Sequence, residues 1–126
     1  MSQAHVQLIR SIYRLWDEDQ SARHLIDANL EYVNPSNAVE AGTHRGRARL
    51  NNVLEVYPDF RVEPERFVDA GEDVVVIGTA RGTAASGIEA RWRQGYVWTV
   101  RDGKAVRFRW FNDPNEALKA VGLESE

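Results

Sequence analysis

The chain has 126 residues, of which 43% are hydrophobic and 28% charged, and its formal net charge is −3. This length and composition predict a single globular domain over residues 1–126 with its own buried core. A nucleic-acid-binding domain usually carries a basic balance, which this sequence lacks. The longest aliphatic run, residues 74–77, is too short to span a bilayer. We therefore expect neither nucleic acid nor a membrane as a partner.

Cysteine is absent from the sequence, which excludes disulfide bonds and thiol nucleophiles. The first residues lack the basic-then-apolar order of a secretory signal, so we expect a cytoplasmic location. The three histidines, His5, His24 and His44, are too scattered to form a metal motif, and no glycine-rich phosphate loop occurs. The sequence therefore predicts neither a metal ion nor another cofactor.

Helical patterns dominate the first part of the chain. Apolar residues recur at helical spacing over residues 3–16, which predicts an amphipathic helix with one buried stripe. A second, shorter helix is expected to follow, capped by Asp19 or Ser21 and packing Leu25 and Ile26 inward.

A short strand and a third helix come next. Residues 30–35 alternate as a strand that a proline closes, and residues 36–46 read as a loop. Gly46 opens a predicted helix that continues to about Val56 and ends at Pro58. Its buried positions are expected to be Leu50, Val53, Leu54 and Tyr57.

Strands and turns dominate the second half. The predicted strands cover residues 60–69, 73–83, 89–101 and 105–112, joined by the turn pairs Ala70-Gly71, Ser86-Gly87 and Asp102-Gly103. Asp113 and Pro114 are a helix N-cap and first helical residue, and Gly122 ends that last helix. The order predicts an α+β protein in which helices cover one face of an antiparallel sheet.

Three features of the end of the chain resemble one known family: the hairpin at Asp102-Gly103-Lys104, the Asn112-Asp113 pair, and the tail Glu116-Ala-Leu to Gly122-Leu123. They resemble the SnoaL-like (polyketide-cyclase-like) branch of the nuclear transport factor 2-like superfamily, which is related to ketosteroid isomerases. The resemblance covers nearly the whole chain. It implies a cone-shaped, curved antiparallel sheet packed against three N-terminal helices around a pocket. The superfamily contains isomerases, epoxide hydrolases, cyclases and non-catalytic domains, so the fold leaves the activity open.

The resemblance also implies which side chains face the pocket, since strand side chains alternate between faces. The ligand-binding residues expected on this basis are Tyr32, Asn34, Arg81, Tyr96, Trp98, Trp110 and Asn112. The same faces carry Ile77, Thr79, Gln94 and Phe108, and the helices would close the cone with Tyr13, Trp16, Leu54 and Tyr57. An aromatic lining with a few polar groups is typical of a site for a hydrophobic small molecule.

The catalytic residues stay unassigned. The position of the isomerase base falls on Asn34, and an amide cannot abstract a proton from carbon. Tyr13, as a helix tyrosine, and His44, as a base at the pocket mouth, are the remaining candidates. Tyr32 and Asn34 also resemble the residues that hold water in limonene-epoxide hydrolases, but the acidic partners of that mechanism are missing. Arg81 either binds an anionic ligand or belongs to a salt bridge.

The other, convex sheet face is expected to carry Arg91, Arg93, Val97, Thr99, Arg101, Arg107, Arg109 and Phe111. In the family this face commonly forms a dimer, and arginine and aromatic residues are enriched in interfaces, so a homodimer is expected through it. The alternative is a solvated surface of extended arginine side chains. Two functions stay open: a small-molecule-binding protein with isomerase, cyclase or hydrolase activity, or a non-catalytic binding or dimerisation module.

Overall fold

A long helix followed by a curved sheet forms the fold, in the computed structural model that describes residues 2–126. The helices are α1 (Ser2–Asp17), α2 (Val53–Val56) and α3 (Pro114–Ala120). The strands are β1 (Ile26–Asn34), β2 (Gly42–Arg45), β3 (Arg61–Ala70), β4 (Asp73–Thr83), β5 (Glu89–Arg101) and β6 (Lys104–Phe111). Short 3-10 turns occupy Arg23–Leu25 and Arg47–Asn51.

The six strands form one unclosed sheet in the order β2-β1-β6-β5-β4-β3. Neighbouring strands are antiparallel except β1 and β6, which run parallel with Tyr32 opposite Phe108. The last strand, β6, therefore lies between β1 and β5 and connects the β1–β2 pair to the rest of the sheet. An α+β fold with a curved sheet is confirmed.

Both faces of the central strands β4 and β5 are buried. On one face, Ile9 and Ile12 of α1 pack with Val74, Val76 and Trp98, all with no exposed surface. On the convex face, α3 places Ala117 and Leu118 against Val75, Ile77 and Val97. The sheet is thus sandwiched between two helices at its centre, and burial of these aliphatic side chains from both sides stabilises it.

Local signals predicted the last hairpin and helix correctly. Asp102 and Gly103 have φ angles of 51° and 76°, which the tight turn between β5 and β6 requires. The Asp113 side chain accepts a hydrogen bond from the Asn115 backbone N–H at 2.9 Å, and Pro114 is the first helical residue. The predicted first helix and the bounds of β4 and β5 are confirmed as well.

The predicted second helix is wrong, because the chain makes only a 3-10 turn there and β1 begins at Ile26. Ile26 is buried and lies opposite Ala105 of β6, so sheet pairing prevails over local helix preference. The predicted loop over residues 36–46 contains the short strand β2, which pairs with β1.

The predicted third helix is divided into a 3-10 turn and the single helical turn α2. None of its residues is fully buried, and the Leu54 side chain is 41% exposed. The reason is that this segment lies over a cavity, so its apolar side chains meet empty space instead of core atoms.

Strand β3 forms one edge of the sheet. Its middle carries Pro64, which has no N–H to donate, and the pairing with β4 is irregular between Pro64 and Arg66. Glu63 and Glu65 on either side of the proline form ion pairs with arginines of β4 and β5. The other edge strand, β2, has only four residues.

The close approach of α3 to the sheet predicts a penalty for any side chain at residue 95. A Cβ atom added to Gly95 would lie 2.6 Å from the Ala117 Cβ and 3.0 Å from the Pro114 Cα. We expect Gly95→Ala to lower the free energy of unfolding by about 1–3 kcal/mol through overpacking, measured by urea denaturation.

Adding Ala117→Gly to Gly95→Ala should recover part of that loss, because it removes the clashing atom. Ala120→Gly, on an exposed position of the same helix, is the control, since it weakens the helix without relieving the clash. Equal stability of Gly95→Ala and the wild type would contradict this packing.

Candidate functional site

A cavity of about 640 Å³ lies between α1, one face of the sheet and residues 50–62. We call the sheet face that borders this cavity the cavity face. The aromatic lining residues are Tyr13, Trp16, Tyr32, Phe60, Trp92, Tyr96, Phe108 and Trp110. The aliphatic and cyclic ones are Leu50, Val53, Leu54, Pro58 and Val62, and the polar ones are Asp17, Asp19, Asn51, Asn52, Asp59, Arg61 and Gln94. Cavities of roughly 300–1,000 Å³ with mainly apolar walls are the usual sites for small molecules.

The floor of the cavity is built around a hydrogen bond between two aromatic residues. The Trp98 indole Nε1–H donates to the Tyr13 hydroxyl oxygen at 3.0 Å. Burial raises the pKa of Tyr13 well above the ordinary tyrosine value, so its hydroxyl stays protonated. Because the oxygen accepts from Trp98, the Tyr13 proton is free to be donated, and no acceptor for it occurs among residues 2–126. The floor therefore offers a hydrogen-bond donor.

The second polar feature of the floor is a row of three neutral side chains linked by hydrogen bonds. The Tyr96 hydroxyl donates to Gln94 Oε1 at 2.7 Å, and Gln94 Nε2 donates to Asn112 Oδ1 at 3.2 Å. Burial raises the pKa of Tyr96, and it also raises that of Tyr32, whose ring lies 5.3 Å from Phe108. The polar groups of the floor are therefore all uncharged at neutral pH.

Charged residues lie at the rim instead. Arg61 donates to the backbone oxygens of Trp16 at 2.9 Å and Asp17 at 3.2 Å, and its guanidinium pairs with the Asp19 carboxylate. Asp59 Oδ1 accepts from the Thr83 backbone N–H at 2.7 Å, and this hydrogen bond lowers the pKa of Asp59. The rim thus carries acidic and basic side chains around an apolar interior.

Eight of the residues predicted to face or close the pocket line the cavity: Tyr13, Trp16, Tyr32, Leu54, Gln94, Tyr96, Phe108 and Trp110. Trp98 does not line it, because it is completely buried beneath Tyr13 and Phe108. Asn112 is exposed and reaches the floor only through its bond with Gln94.

Asn34 and His44 lie behind the cavity wall. Asn34 Oδ1 accepts from the Trp110 indole N–H at 2.6 Å, while Asn34 Nδ2 donates to the Glu40 backbone oxygen at 2.8 Å. His44 Nε2 donates to the same oxygen at 2.9 Å, since a carbonyl can only accept. Neither side chain lines the cavity, because these bonds turn both of them toward the loop before β2. Asn34 therefore holds Trp110 in the wall, and His44 binds the same backbone oxygen as Asn34.

The predicted cavity position of Arg81 is wrong. In the β4–β5 pairing Val76 lies opposite Tyr96, so Val76 is on the cavity face and Arg81, five residues on, is on the convex face. Arg81 Nε lies 3.0 Å from a Glu63 carboxylate oxygen, and both side chains are about half exposed. Ile77 and Thr79, which were also predicted to face the cavity, lie on the convex face as well. The error arose because residues 74–77 are apolar on both faces of a strand that is buried on both sides.

The cavity has lining residues that the sequence analysis did not identify. Trp92 follows from the alternation of β5, two residues before Gln94, and was therefore available from the sequence. Other lining residues lie at or beside the ends of α1 and β3, where periodicity does not predict which way a side chain points. They are Asp17, Asp19, Phe60 and Arg61. Tyr57, which was expected in the cavity, packs against Gly82 and Trp92 instead.

Residues 2–126 contain no group of three or more His, Cys, Asp or Glu side chains placed to hold a metal ion. None of the helices in that range has the length and apolar character needed to cross a bilayer.

Comparisons with known proteins agree on the fold. The SnoaL-like domain family matches residues 9–108, and a search of the curated proteins finds no match. The crystal structure of TerC with polyporic acid is 26% identical, with 94% of this chain and 98% of that chain covered and a TM-score of 0.73. A nuclear transport factor 2-like protein from Burkholderia pseudomallei is 24% identical, with the same coverage and TM-score. A putative SnoaL-like polyketide cyclase from Jannaschia is 19% identical over 94% and 92% of the two chains, with a TM-score of 0.71.

The buried tyrosines predict a loss of stability in alkali. Tyrosines of the unfolded chain ionise near pH 10, as is ordinary for the residue, whereas burial raises the pKa of Tyr13 and Tyr96 in the folded state. The folded protein therefore keeps protons that the unfolded chain releases. This stabilisation is complete below about pH 10 and falls as the pH rises above it.

We expect Tyr13→Phe to reduce the slope of the unfolding free energy against pH above pH 10, by up to about 1.4 kcal/mol per pH unit. Urea denaturation from about pH 8 to 11 measures this slope. Trp16→Phe changes the same cavity without removing an ionisable group and is the control. An unchanged slope in Tyr13→Phe would show that the Tyr13 hydroxyl is not protected by burial.

Proposed function

Because the chain belongs to the SnoaL-like domain family, we propose that it binds a hydrophobic small molecule in the cavity between α1 and the sheet. The cavity itself carries the proposal: about 640 Å³ of space, walled by eight aromatic side chains, with a few neutral polar groups on the floor. Burial of an apolar ligand against such walls supplies affinity, and the polar floor sets its orientation.

The floor favours a ligand with a hydrogen-bond acceptor on its inner end. Tyr13 has a proton to donate, and the Gln94 amide and Tyr96 hydroxyl complete a neutral polar patch. A carbonyl or hydroxyl oxygen placed there replaces water as the partner of these groups. TerC, 26% identical to this chain, was crystallised with polyporic acid, which supports a small organic ligand for the related cavity.

A second candidate function is catalysis without a cofactor, as an isomerase, cyclase or hydrolase. The protonated Tyr13 hydroxyl favours it, since a donor fixed in an apolar site stabilises negative charge that develops on a substrate oxygen. The carboxylates among the cavity-lining residues are Asp17, Asp19 and Asp59, so a proton-abstracting base would come from the rim. A cavity that binds a ligand and performs no chemistry is the alternative to this candidate.

Tryptophan fluorescence tests ligand binding directly. Trp16, Trp92 and Trp110 line the cavity, so an occupant should change the emission of three of the four tryptophans in the chain. In a panel of polyporic acid, steroid ketones and aromatic ketones, we expect Tyr13→Phe to weaken ketone binding roughly five- to ten-fold through the lost hydrogen bond.

Arg81→Leu is the matched control for this panel. Because Arg81 lies on the convex face, this substitution should leave the affinity for every compound unchanged. Leu50→Trp fills the cavity from the segment over it and should abolish binding. If no compound in the panel binds, or if Leu50→Trp binds as tightly as the wild type, the proposed function is wrong.

We also propose that two copies associate through the part of the convex face that α3 leaves free, formed by β1 and β6. Arg109 is partly exposed there, and Phe111, also partly exposed, lies where this surface meets the α3 cluster. The arginines of this face already have acidic partners within the chain, as in Arg107 with Glu31 at 3.2 Å. A dimer would therefore place these arginine–carboxylate ion pairs around its apolar contacts. The absence of cysteine supports a cytoplasmic location for this assembly.

Sedimentation tests the dimer. Wild-type protein at tens of micromolar should have about twice the chain mass. Phe111→Glu should reduce it to the mass of one chain, with circular dichroism showing that the variant stays folded, because Phe111 also packs against the α3 cluster. Val97→Glu is unsuitable, since Val97 has no exposed surface beneath α3 and the change would destabilise the fold. A wild-type monomer at that concentration would contradict the proposal.

A further inference from the structure

The electrostatic character of the cavity differs between its floor and its rim. The lining contains three carboxylates, those of Asp17, Asp19 and Asp59, and one guanidinium, that of Arg61. Asp59 is held in its ionised form by the hydrogen bond from the Thr83 backbone. At neutral pH the charged lining groups therefore sum to two negative charges.

Among residues 2–126, the one cation of the lining is already engaged. Arg61 binds the backbone oxygens of Trp16 and Asp17 and the carboxylate of Asp19. Releasing it for a ligand would leave the last carbonyls of α1 without this partner. An anionic ligand entering the cavity would thus meet no free positive group among the lining residues, and burial of an unpaired carboxylate is costly.

The end of α1 adds to the negative potential. Its carboxyl-terminal end reaches the rim through Trp16 and Asp17, and Asp19 follows directly. A helix has a partial negative charge at this end, where acidic residues are unfavourable and basic ones are preferred. Asp17 is therefore unfavourable for the helix dipole, Asp19 is offset by its ion pair with Arg61, and both carboxylates belong to the cavity lining.

The walls of the cavity also favour positive charge. The faces of tryptophan and tyrosine rings are electron-rich, and they attract ammonium groups placed over them. Trp16 and Trp92 line the cavity together with the acidic rim residues. Aromatic rings and carboxylates in one cavity lining can stabilise a cation by two independent interactions.

We propose that the cavity takes an apolar ligand that carries a protonated amine near the rim, and that it discriminates against the anionic counterpart of the same molecule. This inference rests on the proposed function, because it names the charge class of the ligand in the same cavity. The apolar body lies against the aromatic walls, its acceptor atom lies near Tyr13, and the ammonium group lies between Asp17, Asp19 and the rings.

A ligand series with one apolar body tests the charge preference. Isothermal titration with 2-naphthylmethylamine, 2-naphthylmethanol and 2-naphthoate separates charge from shape. We expect the amine to bind roughly ten-fold more tightly than the carboxylate at low salt, with the alcohol between them. The ratio should shrink at about 0.15 M salt, where the Debye length falls to about 8 Å.

Charge-neutralising variants locate the effect. Asp17→Asn combined with Asp19→Asn should lower the ratio of amine to carboxylate affinity several-fold and leave the alcohol affinity nearly unchanged. Asp102→Asn combined with Glu124→Gln removes the same charge from exposed positions that do not line the cavity, and should leave the ratio unchanged.

The outcomes separate this inference from the function on which it rests. If the alcohol binds but the carboxylate binds as tightly as the amine, the charge preference is wrong and small-molecule binding stands. An equal change of the ratio in both double variants would also overturn it, because net charge rather than the rim would then be responsible. If no member of the series and no compound of the wider panel binds, both proposals fail.

Discussion

The hydrogen bond from the Trp98 indole to the Tyr13 hydroxyl is the contact on which the arrangement of α1 and the sheet depends. Trp98 is the largest fully buried side chain in the core, and its N–H has to find an acceptor there. An unsatisfied buried donor would cost about 1–3 kcal/mol, so the Tyr13 oxygen fixes the position of α1 along β5. The same bond uses the Tyr13 oxygen as an acceptor and leaves its proton available to a partner in the cavity that Tyr13 lines. A requirement of the core thus creates the polar floor of the site.

The faces of β5 and β6 were predictable because their composition alternates. On β5, Trp92 and Tyr96 alternate with Arg91 and Arg93, which have a half-exposed, ion-paired environment. Strand β4 carries no such signal, since Val74 to Ile77 are buried on both sides, by α1 on one face and by α3 on the other. A shift of one residue exchanges every side chain between faces, and this is how Arg81 was misplaced.

The segment after Gly46 shows a different limit of periodicity. Leu50, Val53 and Leu54 have helical spacing, as the sequence indicated, but they face open space. Helical spacing predicts which apolar side chains point toward the interior of the protein. It does not predict whether those side chains meet packed core atoms or a cavity. The parallel pairing of β1 with β6 was equally inaccessible, because it joins Tyr32 to Phe108 across most of the chain. Local patterns therefore predicted the elements better than the cavity between them.

The proline in the edge strand β3 has a consequence for the behaviour of the protein at high concentration. An open sheet presents unpaired backbone groups at its edges, and a neighbouring molecule can extend it by adding a strand. Pro64 removes one donor from that edge, and the pairing with β4 is irregular beside it, so an incoming strand meets an interrupted ladder of backbone groups. Growth of amyloid-like fibrils by edge-to-edge addition is thereby disfavoured, and molecules of this chain that meet in solution are left to recognise each other by side chains.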